Sequence, residues 1–266
     1  MSIFRFSFVA AAAALALQSC APGQDAPAPS SAALDLSRYV AVGDSYTAGV
    51  SNGGLTRNSQ LYSYPNLLAQ SFAQVAPGAS FTQPLLEQGA STNYLSLVSY
   101  NGRDLPVVRR VAGSAVRSNY VNTIGCGLTD TVRLLARSAQ AGTLPQNLGL
   151  PGLRLSQLES PDLGNEANAV SGRPFNPYFE RLLPPADSRS YLQAVTTASA
   201  QATFFTYFAG VDEFLPYIRS GGTCAALLPN ATALGTNVRK VLSVLAANGR
   251  RGIIVQVPNL NLLPIL

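Results

Sequence analysis

Apolar positions divide the 266-residue chain into an N-terminal apolar run, a Pro- and Ser-rich stretch, and a long region where strand and helix patterns alternate. Residues 38–42, Arg-Tyr-Val-Ala-Val, run into Gly43, Asp44 and Ser45, which predicts a buried strand leaving through a glycine turn. Residues 64–72 carry Pro65 in the first turn and apolar Leu67, Leu68 and Phe72, predicting a helix. The same reading predicts an amphipathic helix over 128–139, capped by Thr129, and a long helix over 230–247 stopped by Asn248 and Gly249. Residues 203–208 and 252–258 are near-continuous apolar runs, the pattern of core strands buried on both faces. Strands alternating with helices predict an α/β domain with a parallel sheet covered by helices. The Pro- and Gly-marked stretches 86–120 and 156–187 read as insertions around a site rather than as separate domains.

Upstream of residue 36 the pattern is different. Arg5 precedes an uncharged apolar run over 6–17, followed by Leu17, Gln18, Ser19 and Cys20. One cation and about a dozen apolar residues predict a signal peptide over 1–19, with a core too short to span a bilayer. The tail Leu-x-Ser-Cys resembles the lipobox of bacterial lipoproteins, which implies cleavage before Cys20 and attachment of lipid to it. Pro22, Gly23, Pro27, Pro29, Ser30 and Ser31 then make residues 20–35 a flexible tether, with the folded domain over 36–266. The expected location is therefore membrane-anchored through the N-terminal lipid, facing the periplasm or the cell exterior.

Composition narrows the chemistry. With 47% hydrophobic and 12% charged residues, the chain is apolar enough to fold. Its net charge is +5, Lys240 is its only lysine, and no basic cluster exceeds two residues, as in Arg109-Arg110 and Arg250-Arg251, which argues against a nucleic-acid face. No histidine occurs at all, so neither an imidazole base nor an imidazole metal ligand can come from these residues. With Cys20 assigned to lipid, Cys126 and Cys224 remain in Gly-rich loops of an exported chain. They read equally as a disulfide or as two free buried thiols. Two cysteines fall short of a zinc site, and no Gly-x-Gly-x-x-Gly follows the first strand, so no metal or other cofactor is expected.

The residues that carry chemistry are Gly43, Asp44, Ser45, Tyr46, Thr47, Ala48 and Gly49, directly after the first predicted strand. A serine leaving the C-terminal end of a parallel strand presents its hydroxyl where open α/β sheets gather ligands. This run resembles the first signature block of the SGNH/GDSL serine hydrolases. Residues 60–69, residues 147–152 (Asn-Leu-Gly-Leu-Pro-Gly) and residues 205–213, followed by Ser220, Gly221 and Gly222, resemble successive blocks of a bacterial lipoprotein-like branch of that family, in order. The resemblance implies a three-layer flavodoxin-like fold and an ester hydrolase acting by acyl transfer on a small-molecule, lipid or carbohydrate ester. It assigns the nucleophile to Ser45 and the oxyanion hole to the amides of Ser45 and Gly152, with Gly89 as the alternative glycine.

Two departures bear on activity. Where the family has an oxyanion-hole asparagine this chain has Asp212, an acceptor in place of a donor, and loss of one such donor costs about 3–4 kcal/mol of transition-state stabilisation. The family's closing Asp-x-x-His pair also has no counterpart, leaving Ser45 without its base. Arg38, Tyr46 and Lys240 are poor substitutes by type. Residues 252–258 resemble the family strand that precedes its last strand and helix, so the domain is expected to be incomplete at its C-terminus and inactive as it stands. The competing expectation is a catalytically dead binding lipoprotein that keeps the cleft.

Overall fold

A computed structural model describes residue 30 and residues 34–257. The expected signal peptide, Cys20 and most of the expected tether lie outside the described residues. In chain order the elements are β1 (Tyr39–Gly43), α1 (Ser45–Ala48), α2 (Arg57–Leu61), α3 (Tyr64–Val75), β2 (Tyr94–Tyr100), β3 (Pro106–Val111), β4 (Val116–Gly125), β5 (Leu128–Leu135), β6 (Asn147–Gly149), α4 (Ala167–Ser171), α5 (Pro177–Glu180), α6 (Tyr191–Ser199), β7 (Phe204–Phe208), α7 (Val211–Arg219), α8 (Ala231–Leu245) and β8 (Arg251–Ile254).

The fold is α/β, built on a four-stranded parallel sheet in the order β6-β1-β7-β8. Side chains of a strand alternate between faces, so a strand covered on both sides is apolar at nearly every position. In β1, Val40 and Val42 enter the larger core with Leu148, Phe205 and Tyr207, beneath Ala194 and Val195 of α6 and Val241 and Leu245 of α8. Tyr39 and Ala41 face the other way with Phe204, against Leu68, Phe72 and Val75 of α3. Each fully buried large side chain contributes about 1.5–3 kcal/mol relative to exposure.

The register places the site. Gly43 pairs with Gly149 of β6 on one side and with Phe208 of β7 on the other. The segments leaving these three strand ends, at 44–45, 150–152 and 209–212, are thereby brought to one edge of the sheet. Close packing at this edge requires glycine. A Cβ on Gly149 would lie 2.3 Å from the Ala48 nitrogen and 2.4 Å from the Thr47 carbonyl carbon, both backbone atoms of α1.

Two expectations are corrected. Residues 128–139 are not a helix. Leu128–Leu135 is strand β5, antiparallel to β4. The intervening Gly125, Cys126 and Gly127 all have positive φ (122°, 49° and 73°), a tight reversal that returns the chain along β4, and Thr129, Thr131 and Val132 are β-branched residues suited to a strand. The stretch 86–120 carries a second hairpin, β2 with β3, and 156–187 carries α4 and α5. Finally, β8 pairs with β7 as a core strand would, yet its four residues are exposed because it lies at the sheet edge among the described residues.

Cys126 and Cys224 are bonded, with Cα atoms 6.0 Å apart, tying the β4–β5 turn to the loop after α7 across a separation of 98 residues. Glu180, fully buried, holds the same hairpin through Arg137 at 2.5 Å and Arg117 at 3.3 Å.

Two substitutions read out these constraints. Gly149→Ala is expected to lower unfolding free energy by about 3 kcal/mol, because backbone must move. Gly152→Ala, with open space but φ of 72°, should cost only about 1 kcal/mol. Urea titration of both variants checks the ordering. Closing so long a loop constrains the unfolded chain, so removing the bridge by Cys126→Ala with Cys224→Ala should cost about 2–5 kcal/mol. A cross-linked 126–224 peptide under non-reducing conditions, and a melting temperature that falls with reductant, are the expected measurements.

Candidate active site

Ser45 opens α1 directly off β1, half-buried at the sheet edge. Its surroundings are set by three connections. The first is Asp44, fully buried, whose Oδ2 accepts the backbone N–H groups of Gly210 and Val211 at 3.0 Å and of Asp212 at 3.3 Å. A carboxylate at the exposed amides of a helix N-terminus satisfies donors that the helix itself leaves unpaired. Asp44 thus clamps the start of α7 to the end of β1. Its other oxygen accepts Tyr46 N–H at 3.3 Å.

The second connection carries Gly152. Leu150 N–H donates to Gly43 carbonyl at 3.0 Å, Asn147 holds Thr47 carbonyl through its amide at 3.1 Å, and the buried Tyr191 hydroxyl donates to Leu148 carbonyl at 2.5 Å. Asn176 donates to Pro151 carbonyl at 3.0 Å, and Glu213 accepts Ser156 N–H at 3.1 Å. The third is Gly210, whose φ of 123° lets the chain turn sharply from β7 into α7 and present Asp212 in its first turn.

The three sequence-assigned residues meet. Asp212 Oδ2 accepts the Ser45 hydroxyl at 2.5 Å, the Ser45 amide at 3.0 Å and the Gly152 amide at 2.8 Å, while the Gly152 amide also lies 3.3 Å from Ser45 Oγ. Two backbone amides and a serine hydroxyl therefore converge on a single anionic oxygen. A pair of amides converging on one oxygen is a geometry able to stabilise negative charge there. Compared with protein-family models, curated proteins and solved structures, the chain matches none.

Gly89, the alternative glycine, sits in an exposed turn closed by Ala90 N–H to Glu87 carbonyl and takes no part in these bonds. Arg38 and Lys240 are engaged elsewhere, with Gln201 and Glu159 respectively, and Tyr46 stacks on Phe208 at 5.3 Å. The side chain that accepts the Ser45 hydroxyl is the carboxylate of Asp212.

Sequence reasoning located Ser45, Gly152 and Asp212 but not Asp44, Asn147, Asn176, Tyr191 or Glu213. Asp44 stood inside the motif, so its signal was present. The others hold the backbone from elements distant in sequence and carry no local pattern.

Two buried carboxyls in one site cannot both ionise cheaply. Burial, and then the charge of Asp212, push the Asp44 carboxyl up, to about 7. Burial also raises Asp212, against the hydrogen bonds from Ser45 and Gly152 that favour its charged form. A carboxyl whose folded pKa exceeds its unfolded value binds its proton more tightly when folded. Its contribution to stability is then present below the ordinary carboxylate range and lost as pH rises through the folded value. Stability should therefore fall between about pH 4 and pH 8, and less steeply in Asp212→Asn, where the neighbouring charge is gone. Calorimetric melting across this range is the check, and equal slopes in the two proteins would contradict the coupling.

Proposed function

We propose that the protein is a serine ester hydrolase of the SGNH/GDSL type, acting by acyl transfer through Ser45 on an exported, lipid-anchored domain. The supporting observation is the convergence of the Ser45 and Gly152 amides on one negatively charged oxygen beside the Ser45 hydroxyl. The parallel sheet, with its nucleophile at the C-terminal end of β1, is compatible with the flavodoxin-like arrangement of that family.

In this reading Ser45 Oγ bonds to the acyl carbon, the carbonyl oxygen takes up negative charge against the two amides, and the alcohol leaves with a proton. Water then cleaves the acyl-serine. The site at rest is poised against the first step, because Asp212 Oδ2 already occupies the amides. A carbonyl oxygen reaches them only when that carboxylate swings aside. Protonated, Asp212 could donate to the oxyanion as an asparagine does, the use of a neutral buried carboxyl known from other acid–base sites. No imidazole is available from the 266 residues to receive the Ser45 proton.

The filled anion hole favours a second reading, a binding protein with the same cleft and no turnover. A fluorophosphonate separates the two, since Ser45 Oγ displaces fluoride, forming a P–O bond, only where the serine is nucleophilic and the hole admits the phosphoryl oxygen. Asp212→Asn removes the carboxylate from the hole and restores a donor, so it should label at Ser45 at least about tenfold faster than the native protein at neutral pH, given the 10²–10³ effect of one such donor. Imidazole added as an external base should accelerate both, and Ser45→Ala should not label. Absence of a Ser45 adduct in Asp212→Asn with imidazole overturns the hydrolase reading in favour of the binding protein. Intact-mass spectrometry with peptide mapping provides the readout.

A further inference from the structure

Beside Ser45 lies a cleft of about 560 Å³, within the range of small-molecule sites. Its lining has an unusual chemical balance. Among the described lining residues five are aromatic, Tyr46, Tyr62, Tyr64, Tyr94 and Phe208, and Val50 is the one aliphatic side chain. The other side chains are hydroxyls and amides, among them Ser51, Asn52 and Asn58, and none of the described lining residues is charged.

The aromatic wall is already assembled. Tyr46 stacks on Phe208 with ring centroids 5.3 Å apart, and Tyr64 leans on the same ring at 6.4 Å with its hydroxyl 3.0 Å from Thr47 Oγ1. Opposite, the turn bearing Asn52 is closed by paired bonds between Ser51 and Gly54 at 2.8 and 3.1 Å and tied to β2 where Leu95 N–H donates to Asn52 carbonyl at 2.7 Å. Tyr46 is 54% exposed and Tyr62 73%, so two aromatic rings of the lining stand open to a ligand although each is a large apolar surface.

Each class of ligand makes a different demand on such a wall. An anionic ligand needs cationic or clustered N–H partners, and the lining has no cation. An acyl chain is served by aliphatic side chains, of which there is one. A neutral sugar presents apolar C–H faces that lie flat on aromatic rings and a rim of hydroxyls that exchange hydrogen bonds with amides and hydroxyls. We propose that this cleft is a binding site for an uncharged oligosaccharide, laid against Tyr46, Tyr62 and Phe208 with its hydroxyls toward Asn52 and Asn58. The site stands on the cleft alone. Joined to the hydrolase reading, it makes the ester substrate an acylated neutral sugar, since Tyr46 follows Ser45 and Phe208 carbonyl accepts Asp44 N–H at 3.1 Å.

Saturation-transfer NMR with cellotriose, maltotriose and N-acetylchitotriose as probes tests it on the full chain, in the native protein and in Ser45→Ala, so that binding is read without catalysis. Transfer to the sugar C–H protons of at least one trisaccharide, equal in both proteins and weakened at least tenfold in affinity by Tyr62→Ala, is expected. Tyr62→Phe, keeping the ring, should retain most of the binding. Lack of transfer from all three probes at millimolar concentration overturns the proposal, as does binding that Tyr62→Ala and Asn58→Ala leave unchanged. Binding with no Ser45 labelling even in Asp212→Asn with imidazole would sustain this site while removing the hydrolase.

Discussion

The Asp44 carboxylate, buried and holding three consecutive amides at the start of α7, is the contact on which the rest of the site depends. It joins the end of β1 to the start of α7 across more than 160 residues of chain. Unmet, those amides would be orphan donors in a dry environment, each costing about 1–3 kcal/mol. Asp44 satisfies them and, in the same stroke, fixes where Asp212 begins relative to Ser45. The clamp has an electrostatic consequence. It introduces one buried carboxyl close to another: burial raises both, and the charge of Asp212 raises Asp44 further.

Asp212 is best understood from its partners. An asparagine in its place would offer N–H toward an incoming oxyanion. The carboxylate instead turns the site inward, accepting from both amides and from the serine that would use them. The protein therefore carries its own anion in the hole, and the amides that a transition state would need are satisfied in the resting state. That arrangement stabilises the loop bearing Gly152 at rest and opposes reaction, the kind of exchange between stability and activity that strained or preorganised sites make.

The insertions between sheet elements are less peripheral than their composition indicated. The β4–β5 hairpin is bolted on by the Cys126–Cys224 bridge and by Glu180 with its two arginines, while the β2 end supplies Tyr94 and the anchor for the Asn52 turn. The core sheet supplies Ser45 and the amides that converge beside it, and the added segments shape the approach to them.

Local pattern was sufficient for the strands at 39–43 and 204–208, for α3 and α8, and for the motif at 43–49, because burial on two faces and capping residues leave marks within a few positions. That motif announced Ser45, and the blocks at 147–152 and 205–213 announced Gly152 and Asp212. Pattern failed over 128–139, where apolar spacing fits either period and the glycine turn with its hairpin partner decided for a strand. It failed for the exposure of β8, since an edge strand and a central one share a composition. Whether Cys126 and Cys224 bond depended on a Cα separation that no spacing encodes. Only the folded chain decided that Asp212 points into the anion hole rather than capping a loop, and that Asp44 rather than a distant acid holds the helix. Side-chain direction follows from which strand ends are neighbours, and that is a property of sheet order, not of any single segment.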